Sequence, residues 1–338
     1  MAYISFQPQD YFNTKLYSGS GAIQTVSGVG FEPSMIWTKS RTNSGNNQVT
    51  DPIRGLTKYI RPNAANAEDT KTNSITAVNS DGFVLGADSS NDFNASGQTY
   101  ASWSWRAGTT SGIATNGSTN ITPSGYSFNQ TAGFSAIAYT GTAVDGAYLP
   151  HGLGKAPELL LLKSRSLAES WQVYSAPTGN QGRGHLDNGD AFDTSRGEWY
   201  STTPDTVNMR ISNDSHVNSS GATYIAYFFT SIQGYSKIGS YVGNGNANGP
   251  FIYTGFKPAF VMIKYASGGG SGNWTMYDNK RLGYNVSNSY IYANETNAES
   301  SVSHIIDLVS NGFKCRANSS DTNTGGGTMI YMAFAEAP

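Results

Sequence analysis

The stretch 94–105 reads NASGQTYASWSW, and the chain writes nearly the same thing twice more, as NSSGATYIAYFF at 218–229 and NTGGGTMIYMAF at 323–334. In the first version Trp103 and Trp105 alternate with Ser102 and Ser104, the period of two that a strand with unlike faces shows. Tyr227 and Phe229 take the matching places in the second version, Met332 and Phe334 in the third. The phrase before the strand reads as a turn in which Gly97, Gly221 and Gly326 adopt a positive φ. A bulky face backed by a smaller one suits the closing strand of a sandwich. A ligand loop displayed in three copies is the competing reading of the turn.

The repetition extends outward. VGFEPSMIWTK (29–39), GLGKAPELLLLK (152–163) and TGFKPAFVMIK (254–264) each place a lysine six residues after a proline: Pro33 and Lys39, Pro157 and Lys163, Pro258 and Lys264. Proline cannot donate to a sheet ladder, so it marks where a buried strand begins, and the lysine closes it. Pro33 to Gly97 and Pro157 to Gly221 are both 64 residues, and Pro258 to Gly326 is 68. SDGFVLGADSS in copy one matches SNGFKCRANSS in copy three, where copy two reads PDTVNMRISND. Trp171 and Trp274 recur at one position, which marks them as core. No window sustains a capped helical period; ESSVSHIIDLVSNGF comes nearest, and its counterpart in copy one is too polar.

These spacings predict an all-β chain of three tandem β-sandwich, jelly-roll-like modules at 15–107, 134–232 and 233–338. Residues 1–14 are set apart as an N-terminal arm, with a first edge strand as the alternative. The Gly/Ser/Thr/Asn-rich stretch 108–133 reads as a linker. Modules of this length are ordinary domains, longer than the repeat of a solenoid.

Composition limits the function. Charged residues make up 13% of the 338 residues and the net charge is -2, so there is no basic stripe for nucleic acid. The N-terminus lacks the basic-then-apolar plan of a signal peptide, and the LLLL run at 159–162 is too short to span a bilayer. A soluble protein without membrane insertion is expected. The single cysteine, Cys315, reads as a buried hydrophobe, and a fold without disulfides suits a reducing cytoplasm.

The order of motifs, Y-T/S-G-x-G, then G-F-x-P ending in lysine, then S-D/N-G-F, then N-A-S-G-x-T-Y-x-A, resembles an uncharacterised tandem-repeat family of virion structural or tail-fibre proteins. That family belongs to tailed bacteriophages, many of them marine, and the resemblance covers nearly all of 15–336. It implies a β-sandwich on the exterior of a virion, folded in the host cytoplasm, with other virion proteins of tail or capsid as partners and no catalytic residues. A homo-oligomer, taken as a trimer, is expected for a multivalent surface protein. The expected function is a non-enzymatic tail fibre or tail appendage whose loops attach to a host-surface glycan. A capsid decoration protein and a free carbohydrate-binding or carbohydrate-active protein are the alternatives.

The residues themselves show no catalytic constellation: there is no G-x-S-x-G, no Walker loop, and Glu158, Glu169, Glu198 and Glu299 share no motif. Binding is better supported. Trp199 and Tyr200 in GEWYS, and Tyr290 and Tyr292 in NSYIYANE, read as loop aromatics whose faces take sugar rings, with core packing as the competing reading. Asp187, Asp190 and Asp193, near His185, offer carboxylates to a hard cation such as Ca2+. A solvated Asp/Asn loop is the plainer alternative, and no cofactor is otherwise expected.

Overall fold

A computed structural model describes residues 6–195, 197–281, 285, 289–302 and 304–336, and it is an all-β sandwich fold built from antiparallel sheets. The thrice-written phrase is the central strand of three large sheets. Thr99–Trp105 lies between the opening strand Phe12–Ser18 and the proline-led strand Met35–Ser40, which pairs onward with Gln48–Thr50. Thr223–Phe229 lies likewise between Phe134–Thr140 and Leu159–Ser164, and Thr328–Ala335 between Ser236–Val242 and Pro258–Ser267. Gly97, Gly221 and Gly326 precede these strands with φ of 78°, 74° and 74°. A Cβ at any of them would meet nothing within 4 Å, so backbone conformation and not crowding selects glycine there.

Each copy backs its large sheet with a small one: Gln24–Val26, Gly82–Leu85 and Ile75–Asn79 in copy one, and Phe251–Tyr253, Gly312–Cys315 and Ile306–Val309 in copy three. Ile306–Val309, within the one stretch that hinted at a helix, is a strand. The glycine of S-D/N-G-F is steric, because a Cβ on Gly82 or Gly312 would lie 2.0 Å from the carbonyl oxygen of Val26 or Ile252. Copy two, which lacks that motif, has among the described residues the two-stranded sheet of Ala147–Pro150 and Asn208–Ile211 in its place.

The large sheets are buried on both faces, which explains why their strands read as near-continuous apolar runs. Their outer faces pack on the small sheets: Ile36 with Phe83 and Leu85, Phe228 with Met209 and Ile211, Tyr331 with Ile306 and Phe313. Their inner faces meet one another. One core cluster holds Trp103, Trp105, Tyr227, Phe229, Met332 and Phe334 together. At its centre the last aromatic of each phrase forms a triangle of ring centroids: Trp105 to Phe229 is 6.2 Å, Trp105 to Phe334 5.8 Å, and Phe229 to Phe334 6.2 Å. The copies are therefore joined around a common core instead of strung as beads.

The boundaries between copies follow one cyclic rule. Each lysine six residues after the proline is fully buried and reaches a backbone carbonyl of another copy, and in copy three the strand runs on past it to Ser267. Lys39 Nζ donates to Thr296 at 3.2 Å, Lys163 to Ala65 at 3.2 Å, and Lys264 to Asn188 at 3.5 Å. Burial lowers Lys39 and Lys163 to about 8 and Lys264 to about 7. Trp171 and Trp274 are core, as expected, and their indole N–H groups cross the same boundaries to Arg61 O at 2.8 Å and His185 O at 2.7 Å.

Two boundaries carry a charged chain. Arg41 pairs with Glu299, which also meets Arg281 (3.4 Å), and Arg281 holds Asp278, the acceptor of the Trp103 indole N–H at 3.0 Å. Arg165, Glu68, Arg54 and Asp51 repeat the pattern, ending on the Tyr227 hydroxyl. At the third boundary the equivalent positions are Ala266, Phe192, Thr178, Ser175 and Met332. Every charge has gone together, as it must when an unpartnered buried ion costs several kcal/mol, about 3–5 when one of a pair is removed.

Two boundaries of the sequence reading change. Phe12–Ser18 begins within the proposed arm, since Phe12 belongs to the common core, and Phe6 packs on Tyr11 and Tyr235 at 4.9 and 5.3 Å. Residues 1–5 of the arm lie outside the described residues. Within the proposed linker, Pro123–Asn129 is a strand paired to Phe134–Thr140, because Phe128 and Tyr126 supply an apolar side that the surrounding Gly and Ser conceal in a composition count. Cys315 is buried and free. Among the described residues no helix is long and apolar enough to cross a membrane.

Candidate functional site

Three of the four aromatics proposed as sugar platforms are turned inward or engaged. Trp199 is 1% exposed; its indole N–H donates to Gly182 O at 3.0 Å and its ring meets Tyr174 edge-on. The Gly-flanked setting that suggested a loop is real, yet the turn drives the indole into the core of copy two. Tyr290 is 5% exposed and stands edge-on to His304 at 4.7 Å. Tyr292 hydrogen-bonds His304 Nε2 at 2.6 Å, and the imidazole also contacts Ser319 and Asp321. Burial lowers the affinity of His304 for a proton, with Asp321 opposing. This is an internal polar network under the sheet, not a surface platform.

Tyr200 is the aromatic of the four that lines an open cleft. It has a φ of 52°, and the Arg210 guanidinium lies 3.8 Å from its ring centroid and 5.2 Å from that of Tyr148. The cleft measures about 530 Å³ and is walled by the carboxylates of Asp145, Glu198 and Asp214 with Ser195, Ser201 and Ser212 between them.

Asp187, Asp190 and Asp193 do not converge; the cluster whose potential ligand atoms lie within 4.8 Å of one another is Glu198, Asp214 and His216. Asp187 accepts the Trp171 backbone N–H, Asp193 caps Ser195 at 2.8 Å and faces Arg183, and Asp190 is exposed. Their loop is tied by its backbone to copy three: Phe192 N donates to Ala266 O, and Gly189 O accepts from Gly272 N, both at 2.8 Å.

Glu198 is 3% exposed, with Oε1 held by Arg183 at 2.6 Å and Oε2 without a hydrogen-bond partner among the described residues. Asp214 caps the short helix Ser215–Asn218, accepting from the His216 backbone at 2.8 Å and its ring Nδ1 at 2.5 Å. Burial pushes the Asp214 carboxyl up, but those hydrogen bonds outweigh it and hold it below the usual range. Glu169 takes the other ring nitrogen, Nε2, at 3.1 Å. Sequence analysis found no motif around Glu198 because Asp214 and His216 are sixteen and eighteen positions away.

A second surface feature escaped the sequence reading. Phe251 and Tyr253 alternate with buried Ile252 on the edge strand of the small sheet in copy three and are 48% and 65% exposed. The pairing registers place Thr25 and Ser27 at these positions in copy one. The apolar side chains of Phe251 and Tyr253 are therefore particular to copy three, and they share one outward face about 7 Å apart along the strand.

Compared with known proteins, a family described as a domain of unknown function (DUF7483) matches residues 7–338. No curated protein matches, and no solved structure does.

Proposed function

We propose that this chain, which belongs to the DUF7483 family, is a non-enzymatic exterior component of a tailed-phage virion that attaches to a host-surface glycan. The observation that carries the reading is the outward pair Phe251 and Tyr253 on a short edge strand of an otherwise interlocked body. Two flat apolar faces at strand spacing suit the C–H faces of successive sugar rings, and Asn and Gly loops flank them. Because both faces of each large sheet are committed to cores, edge strands and loops are where a ligand surface can vary without loss of the fold. The phage setting rests on the resemblance in motif order, with a tail appendage favoured over a capsid decoration.

Two measurements test it. Binding to arrayed host-surface polysaccharide is expected to fall about tenfold in F251A/Y253A, towards the lower end of what two aromatic stacks supply, with melting temperature unchanged. Equal binding by the variant removes the glycan surface. Gold-labelled antibody on purified particles is expected to decorate tails. Label on the capsid shell favours decoration, and no label on particles overturns the virion reading.

A further inference from the structure

We propose that Glu198, Asp214 and His216 form a binding site for a divalent transition-metal cation of the Zn2+ class, opening onto the cleft of copy two. The inference is independent of the glycan face, which lies in copy three. Its first ground is proximity: one ligand atom from each residue falls within 4.8 Å of the others. Ligands on one Zn2+ are separated by about 4 Å or less, so small side-chain rotations close the set.

The second ground is the state of Glu198. A carboxylate oxygen that is buried, lines a cleft and receives no hydrogen bond among the described residues is costly, and a cation at that oxygen removes the cost. Arg183 holds the other oxygen, Oε1, through Nη1, and its Nε makes no hydrogen bond among the described residues, so Oε2 is left unpaired. Among the described residues the carboxylates around the position are Asp145, Glu198, Asp214 and Glu169, against the guanidinium groups of Arg183 and, on the Tyr200 ring, Arg210. That surplus of negative charge favours a cation over an anion.

The chemistry of the donors selects the class. One imidazole with two carboxylates suits Zn2+ and its neighbours, whereas Ca2+ and Mg2+ prefer oxygen throughout. Glu169 on His216 Nε2 fixes the ring with Nδ1 towards Asp214, the second-shell carboxylate that metal-bound histidines usually have. Water or a ligand oxygen from the cleft that Glu198 and Asp214 line would complete the coordination.

The test is equilibrium dialysis of tag-free protein against Zn2+, Mn2+, Ca2+ and Mg2+ separately, with retained metal counted by mass spectrometry. One Zn2+ per chain is expected, with affinity reduced at least tenfold in E198Q and in H216Q. His216 is partly exposed and outside every core cluster, so H216Q keeps the test valid if E198Q fails to fold. D187N/D190N is expected to bind as the unaltered chain does. Failure to retain Zn2+, retention unchanged in H216Q, or a preference for Ca2+ or Mg2+ overturns the proposal.

Discussion

Replacing Phe334 by alanine tests whether the three copies are one cooperative body. The Phe334 ring stacks on Phe12 at 4.9 Å and meets Trp105 at 5.8 Å, both from copy one, and Phe229 of copy two at 6.2 Å. Tyr235 and Phe260 complete its surround at 5.6 and 6.3 Å. Removing a fully buried phenyl ring costs about 4 kcal/mol. Unfolding entropy of about 2.1 cal/mol/K per residue amounts to about 0.7 kcal/mol/K for the whole 338-residue chain. One transition should therefore shift down by about 6 °C. A unit of about one hundred residues unfolding alone has about 0.2 kcal/mol/K, and the same loss would lower its own transition by about 20 °C while leaving the others in place. Scanning calorimetry separates these outcomes by the shift and by the ratio of calorimetric to van't Hoff enthalpy, near one for a single body. Three resolved transitions, with two unmoved in F334A, would refute the common core.

The charged boundaries make a sharper contrast. D51A and D278A each take the nearer carboxylate from a buried arginine, leaving it Glu68 or Glu299, and are expected to cost about 3 kcal/mol, whereas S175A at the third boundary costs under about 1 kcal/mol; urea midpoints at pH 7 check the order. Stability should also rise with pH. Lys39, Lys163 and Lys264 have folded pKa values of about 8, 8 and 7, below the unfolded value of about 10.4, so the unfolded chain binds more protons across that window. Buried Tyr139, Tyr227 and Tyr235 sit well above 10 when folded, so stability falls again beyond pH 10 as the unfolded tyrosines ionise. Urea unfolding between pH 6 and 11 should show a maximum near 9–10, with K264M flattening the rise most. A maximum near pH 7 contradicts it.

Much of the fold was legible because its signals are local. The strand alternation at Trp103 and Trp105, the positive-φ glycine before it and the proline that opens each buried strand act within a few residues, and all three copies confirm one another. The lysine was legible as a residue of the strand but not as a joint between copies, because the carbonyl it reaches is 76 to 257 residues away. The aromatic candidates failed for a related reason. Trp199 and Tyr290 carry the composition of a binding loop, while their direction depends on what packs beneath them. Phe251 and Tyr253 look like ordinary strand residues until Ile252 between them is seen to face the core.

Sequence by itself determined that the chain is built of strands, where the repeated ones recur and which side chains are bulky, since backbone sterics and side-chain period are short-range. Tertiary structure decided that the bulky faces of three sheets close on one core, which loops join neighbouring copies, and which carboxylates share a cleft. Those outcomes depend on distances between residues far apart in the chain, set only when the sheets pack.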